Sequence, residues 1–260
     1  MPDAEQAILE EDLPAVNSEV VFSKYRGTSV QLFTAVPTGV QNTADLPMVL
    51  YLHGRDGVHP TPIPEDTLAA LERGHREGKI PPFGFVVPDA GYNPYYYDGS
   101  LNGDLLSMLM EEVPQWLVES GFEHNDGIPV ACAGISTGGF GALRYTIERN
   151  RAGSPVSALG LLAPALPTTW EEMQTKNAFL SEEKWQENDP LHHTDELGDV
   201  PIGAWIGDTD AFMEGLTELL DAHENTPVFT VLPGGHEPAV FDVVGTDMVR
   251  FLAEGVSRSE

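Results

Sequence analysis

Basic residues are scarce in this chain, with 13 Lys and Arg against 41 Asp and Glu and a formal charge of −28 over 260 residues. So acidic a surface repels other polyanions within a Debye length of about 10 Å, which argues against nucleic acid and anionic membrane as partners. The excess reads as a solvated surface that keeps the protein soluble. Cysteine is scarcer still: Cys132 is the single one, no internal disulfide can form, and its place in an apolar run marks a buried, inert thiol. No segment approaches the roughly 18 consecutive apolar residues of a membrane-spanning helix. Met1-Pro2-Asp3-Ala4-Glu5-Gln6 lacks the basic and apolar regions of a secretory signal, which favours a cytoplasmic location. No internal repeat is visible. The pair His192-His193 is adjacent, which is not a helical ligand spacing, so neither a metal nor another cofactor is expected.

What is present is 41% hydrophobic residues, ample for the core of one large domain. Residues 1–19, acidic and carrying Pro2 and Pro14, read as a leader, and residues 20–260 as a single domain. Val20–Phe22 and Ser29–Val36 read as an antiparallel hairpin around Arg26-Gly27. Apolar runs at Pro47–His53, Phe83–Pro88, Val130–Gly134, Ala158–Pro164, Ile202–Ile206 and Val228–Leu232 read as strands, of which Pro47–His53 is apolar enough to be buried on both faces and Ala158–Pro164 reads as another buried one. Helical patterns separate them at Glu65–Glu77, Leu105–Glu119, Ser136–Asn150 and Phe212–His223, with a closing helix at Val240–Leu252. This alternation predicts an α/β fold: a mainly parallel, doubly wound sheet with antiparallel N-terminal strands and helices on both faces. Residues 165–199, long, polar and partly helical, are either a cap over a site or a surface excursion.

One stretch carries chemistry. Gly134-Ile135-Ser136-Thr137-Gly138 fits G-x-S-x-G between an apolar strand and a helix, the sharp turn that lifts a serine hydroxyl above a sheet edge. The backbone N–H of Thr137, at the start of the helix, then points where an oxyanion would form. Active residues in a doubly wound sheet gather beyond the carboxyl ends of strands. There lie Gly207-Asp208-Thr209-Asp210 and, after the last strand, Pro233-Gly234-Gly235-His236-Glu237, in the order serine, acid, histidine. A serine hydroxyl is almost un-ionised at neutral pH, so an imidazole, ordinarily titrating at about 6.5, must take its proton. An aspartate fixes the tautomer and steadies the imidazolium. Asp208 and Asp210 both qualify; spacing from the strand end favours Asp210, the other being free to cap the next helix. The N–H of Arg55, after Gly54, is the best-placed second oxyanion donor, and His53, ahead of the serine in the chain, reads as structural. Tyr95, Tyr96 and Tyr97, together with Trp170 in the 165–199 segment, are candidates for lining a substrate pocket.

With Tyr51-Leu52-His53-Gly54, Pro88-Asp89-Ala90-Gly91, the Ser136 turn and Gly234-Gly235-His236-Glu237, the chain over roughly residues 20–253 resembles the esterase D family of α/β-hydrolase-fold serine esterases, which includes the antigen 85 mycolyltransferases. The resemblance implies that fold, a G-x-x-D acid matching Asp210, and an oxyanion N–H at Arg55. Two departures concern the substrate. Pro238 and Ala239 follow Glu237 where relatives often carry an aromatic, and His53-Gly54-Arg55-Asp56-Gly57 lacks the cysteine-containing turn usual in S-formylglutathione hydrolases. The expected function is therefore a serine carboxylesterase acting on a small-molecule ester of small or medium acyl length. An acyltransferase using the same three residues is the alternative, and a non-catalytic binding protein on this fold is a more remote one.

Overall fold

A computed structural model describes residues 13–58 and 62–259 of the chain. Its strands are β1 (Ala15–Ser23), β2 (Thr28–Val36), β3 (Met48–Leu52), β4 (Gly84–Pro88), β5 (Ala131–Ile135), β6 (Leu159–Leu162), β7 (Ile202–Gly207) and β8 (Val228–Leu232). They form a single sheet in the order β1-β2-β4-β3-β5-β6-β7-β8. β1, β2 and β4 pair antiparallel, and every pairing from β4 across to β8 is parallel. This is the α/β-hydrolase arrangement, with β5 at the centre of the parallel part.

The central strands are buried on both faces because helices cover both. Along β3 the side chains alternate: Leu50 and Leu52 enter one core, Val49 and Tyr51 the other. The second core is closed by α1 (Glu65–Arg76) and α9 (Gly245–Ser259), which pack on each other. On the first face lies α4 (Thr137–Arg151), together with α2 (Leu105–Ser107), α3 (Val113–Glu119) and α7 (Met213–Ala222). Cys132, on the α4 side of β5, is buried, and burial pushes its thiol well above the ordinary range, as suits an inert group.

Three local details differ from the sequence reading. The expected leader boundary at residue 19 falls inside β1, which starts at Ala15 and pairs with β2 along nine residues; the remainder of that leader, residues 1–12, lies outside the described residues. Polar Asn17, Ser18 and Glu19 hide this strand from a hydrophobicity pattern because it is a sheet edge facing solvent. Pro114 sits in what reads as one helix from Leu105, and the chain accommodates it with a π-helical turn, Met108–Glu112, ahead of α3. The closing helix divides into α8 (Pro238–Phe241) and α9.

The 165–199 segment forms α5 (Trp170–Thr175), α6 (Glu182–Gln186) and a 3-10 stretch, Pro190–Leu197, that lies against α4 and α7. It is anchored by Phe179, whose ring stacks on Tyr97 with centroids 4.3 Å apart. It also contributes Ala165 and Lys176 to the cavity described below.

Candidate active site

β5 ends at Ile135 and α4 begins at Thr137, so Ser136 alone makes the bend, with φ 55° and ψ −119°. A non-glycine residue in that region carries about 1–3 kcal/mol of strain and persists only where its surroundings hold it. Here the Ser136 N–H donates to Leu162 O at 2.9 Å, and its carbonyl accepts from Gly139 N at 2.9 Å and Ala165 N at 2.8 Å. The glycines of the motif answer to steric contact. A Cβ on Gly138 would lie 2.5 Å from the Leu52 carbonyl carbon, one on Gly139 2.7 Å from the Pro164 ring, and one on Gly141 2.5 Å from the Tyr96 ring. They let α4 dock directly on β3, which leaves the Ser136 hydroxyl at the helix N-terminus. Gly139 N and Phe140 N are taken up by the Ser136 carbonyl, whereas the Thr137 N–H, at the first helical position, has no intrahelical acceptor.

The acid and histidine loops leave the neighbouring ends of β7 and β8 and are bound to each other. Asp208 N donates to Leu232 O at 2.7 Å and Thr209 N to Gly234 O at 2.9 Å. The Asp208 carboxylate accepts from Gly234 N at 2.9 Å, so this aspartate ties the two loops together instead of capping α7, the role expected for whichever acid was not used. Asp210 faces the other way. Its Oδ2 lies 2.8 Å from His236 Nδ1, its Oδ1 accepts from Phe212 N at 2.9 Å, and its side chain is fully buried. His236 Nε2 in turn lies 2.8 Å from Ser136 Oγ. A carboxylate at Nδ1 puts the ring proton there and leaves Nε2 as acceptor for the serine hydroxyl. The imidazole stands between the rings of Phe212 and Phe241, in edge contacts with centroids 5.2 and 5.1 Å away. Phe241 reaches the imidazole from the end of α8, past the Pro238 and Ala239 that follow Glu237.

On the other side of the serine, the turn after β3 comes close enough that a Cβ on Gly54 would stand 3.4 Å from Ser136 Cβ. Arg55 and Thr137 both border the cavity over the serine. His53 is buried and shapes that turn: its Nε2 accepts from Ala90 N at 2.9 Å, which leaves Nδ1 to donate to Gly54 O at 2.8 Å. Burial lowers its pKa and keeps it neutral, despite Asp89 nearby.

The cavity has a volume of about 880 Å³ and holds Ser136 and His236 on one wall and Phe212 and Phe241 beside them. Tyr95 lines it. Tyr96 and Tyr97 do not, because their rings enter the core and their hydroxyls donate to His53 O at 2.9 Å and Ala178 O at 2.8 Å. Trp170 is also elsewhere, stacked on Trp185 with centroids 6.1 Å apart. Another cleft, of about 670 Å³, lies at the opposite ends of the strands around Pro129, Ser157 and Pro201, remote from these groups.

A family model described as "Putative esterase" matches residues 23–228. Among solved structures, the chain is similar to a ferulic acid esterase at 21% identity and a TM-score of 0.74, over 94% of this chain and 99% of that one. It is similar to an S-formylglutathione hydrolase from Agrobacterium tumefaciens at 16% identity and a TM-score of 0.67, over 92% and 94% of the two chains. A third similarity is to the fluorophosphonate-binding serine hydrolase FphF of Staphylococcus aureus, at 19% identity and a TM-score of 0.64, over 93% and 99%. No curated protein matches the sequence. At these identities the solved structures establish the fold.

Proposed function

Because this chain belongs to that esterase family, and is thus a carboxylic ester hydrolase, we propose that it works through Ser136, His236 and Asp210 and an acyl-enzyme intermediate. The observation that carries this reading is the unbroken chain of hydrogen bonds from Ser136 Oγ through the imidazole to the buried Asp210 carboxylate, 2.8 Å at each link.

The chemistry follows from the protons. Ser136 Oγ adds to the ester carbonyl as its proton passes to His236 Nε2. Asp210, shielded from water, stabilises the imidazolium at Nδ1. The carbonyl oxygen gains negative charge and is held by the N–H groups of Arg55 and Thr137, whose fixed positions require no reorganisation at that moment. Collapse of the adduct breaks the ester C–O bond, and Nε2 returns its proton to the departing alkoxide, leaving the acyl group on Ser136. A water then adds to the acyl carbonyl with Nε2 again accepting the proton, the bond to Oγ breaks, and the carboxylic acid departs with the serine hydroxyl restored. The nucleophile's α-carbon lies between a helix start and a glycine turn, so both donors come from backbone that the fold already holds in place.

A fluorophosphonate probe tests the role of the nucleophile. One phosphonyl group per chain, located on Ser136 by mass spectrometry and accompanied by loss of ester hydrolysis, is the expected result. Labelling at another residue, or hydrolysis that survives complete modification of Ser136, overturns the assignment.

A further inference from the structure

Beside the cavity over Ser136 lies a smaller one of about 280 Å³, and the two share Arg55, Tyr95 and Lys176 in their walls. Among the described residues its lining includes no aspartate or glutamate, in a chain that has 41 of them. It does include two cations. Neither has a carboxylate partner among the described residues: Arg55 Nε donates to Asn93 Oδ1 at 3.1 Å, and Lys176 Nζ stands 5.1 Å from the Phe212 ring centroid. Asn93 holds both segments, since its backbone N–H donates to Arg55 O at 2.8 Å and its side-chain amide to Lys176 O at 2.9 Å.

Tyr95 stands between the two spaces. It is 1% exposed, yet its hydroxyl has no hydrogen-bond partner among the described residues, and it lies close enough to feel the Arg55 charge. A buried hydroxyl without a partner forfeits about 1–3 kcal/mol; those of Tyr51 and Tyr145 are likewise unpartnered among the described residues, but of the three only Tyr95 borders these two cavities. The acidic groups of the larger cavity, Asp56, Glu65, Asp66 and Asp242, border that cavity alone. Two of them are restrained: Asp66 accepts from Gly245 N at 2.6 Å, and burial together with Asp66 and Glu65 raises the pKa of Asp242.

We propose that the natural ester carries a carboxylate, which the Arg55 guanidinium, the Lys176 ammonium and the Tyr95 hydroxyl hold in the smaller cavity while Ser136 attacks the ester carbonyl next door. The inference rests on the hydrolase reading above and adds a substrate class to it. It opposes what the total charge suggests, because a chain at −28 repels anions in general. Two cations without a carboxylate partner in a cleft whose described lining holds no acid reverse the local field there.

The experiment compares kcat/KM for matched esters with and without a carboxylate. Monoethyl adipate against ethyl hexanoate places the charge on the acyl side, and 4-carboxyphenyl butyrate against phenyl butyrate places it on the alcohol side. In one of the two pairs the anionic ester should be preferred about tenfold, through a lower KM, and 1 M salt should erode that preference. Lys176→Gln should bring the ratio to about one, and Tyr95→Phe, which keeps the ring packed, should lower it about threefold. A ratio at or below one in both pairs for the wild-type protein overturns the inference while leaving the hydrolase reading intact, provided the neutral esters are turned over. Failure to hydrolyse any of the four overturns both. A ratio unchanged in both variants assigns the anion elsewhere and also overturns it.

Discussion

Replacing Ser136 by alanine is expected to lower kcat for a short p-nitrophenyl ester by about 10⁴- to 10⁶-fold, the cost usually seen when a nucleophile is taken from an intact catalytic set. The fold should be indifferent. Ser136 is fixed through its backbone, to Leu162 O on one side and through Gly139 and Ala165 on the other, and among the described residues its hydroxyl bonds to His236 alone. Alanine carries the same Cβ into the same φ of 55°, so no new strain appears. Melting temperature should therefore stay within about 2 °C or rise slightly, because a site arranged for reaction is often not arranged for stability. The residual rate would report the Arg55 and Thr137 N–H groups, which the substitution leaves in place. A variant retaining more than about a tenth of the wild-type rate would sink the nucleophile assignment.

Gly138→Ala is expected to do the reverse, ruining the fold before catalysis can be asked about. The added methyl group would stand 2.5 Å from the Leu52 carbonyl carbon and 2.7 Å from the His53 oxygen, both backbone atoms of the central strand and the turn that follows it. Neither can swing aside as a side chain would. Relief requires α4 to lift from β3, which opens the core around Leu52, Phe140 and Leu143. The expected cost exceeds about 5 kcal/mol, among the largest for a single substitution and comparable to the whole stability of many domains. Gly153→Ala is the matched control. Gly153 has φ +71° and nothing within 4 Å of its added Cβ, so only the conformational penalty of about 1–2 kcal/mol applies, a few degrees in melting temperature. Soluble Gly138→Ala protein melting within a few degrees of wild type would contradict this account of the turn.

How far the sequence discloses all this depends on the range of the signal. Met48–Leu52 and Ile202–Gly207 are legible as strands because burial on both faces demands unbroken apolar runs, and the Ser136 turn is legible because its glycines answer to local crowding. The loops after β7 and β8 are legible from the rule that places reactive groups at carboxyl ends. Spacing favours Asp210 over Asp208, and direction separates them: two residues apart on one loop, one faces the imidazole and the other Gly234. The three tyrosines show the same limit. No periodicity says which ring turns where: all three are buried, the φ of Tyr96 is 51°, and Tyr95 borders the cavity over Ser136 while Tyr97 borders only the smaller one. Arg55, Tyr95 and Lys176 meet from three distant segments, and nothing near any of them in the chain announces the others.

The three proposed reactive residues do not share one footing. Ser136 follows β5, held between β3 and β6, whereas His236 follows β8, which pairs with β7 alone and leaves Phe229 47% and Val231 46% exposed. Edge strands open at lower free energy than central ones. When β8 peels away it takes the proton acceptor with it and leaves the nucleophile standing, so on warming the protein should fall silent as a catalyst several degrees before its far-UV signal collapses. The border of the sheet then sets the working temperature of the enzyme, and its centre sets only the temperature at which the chain comes apart.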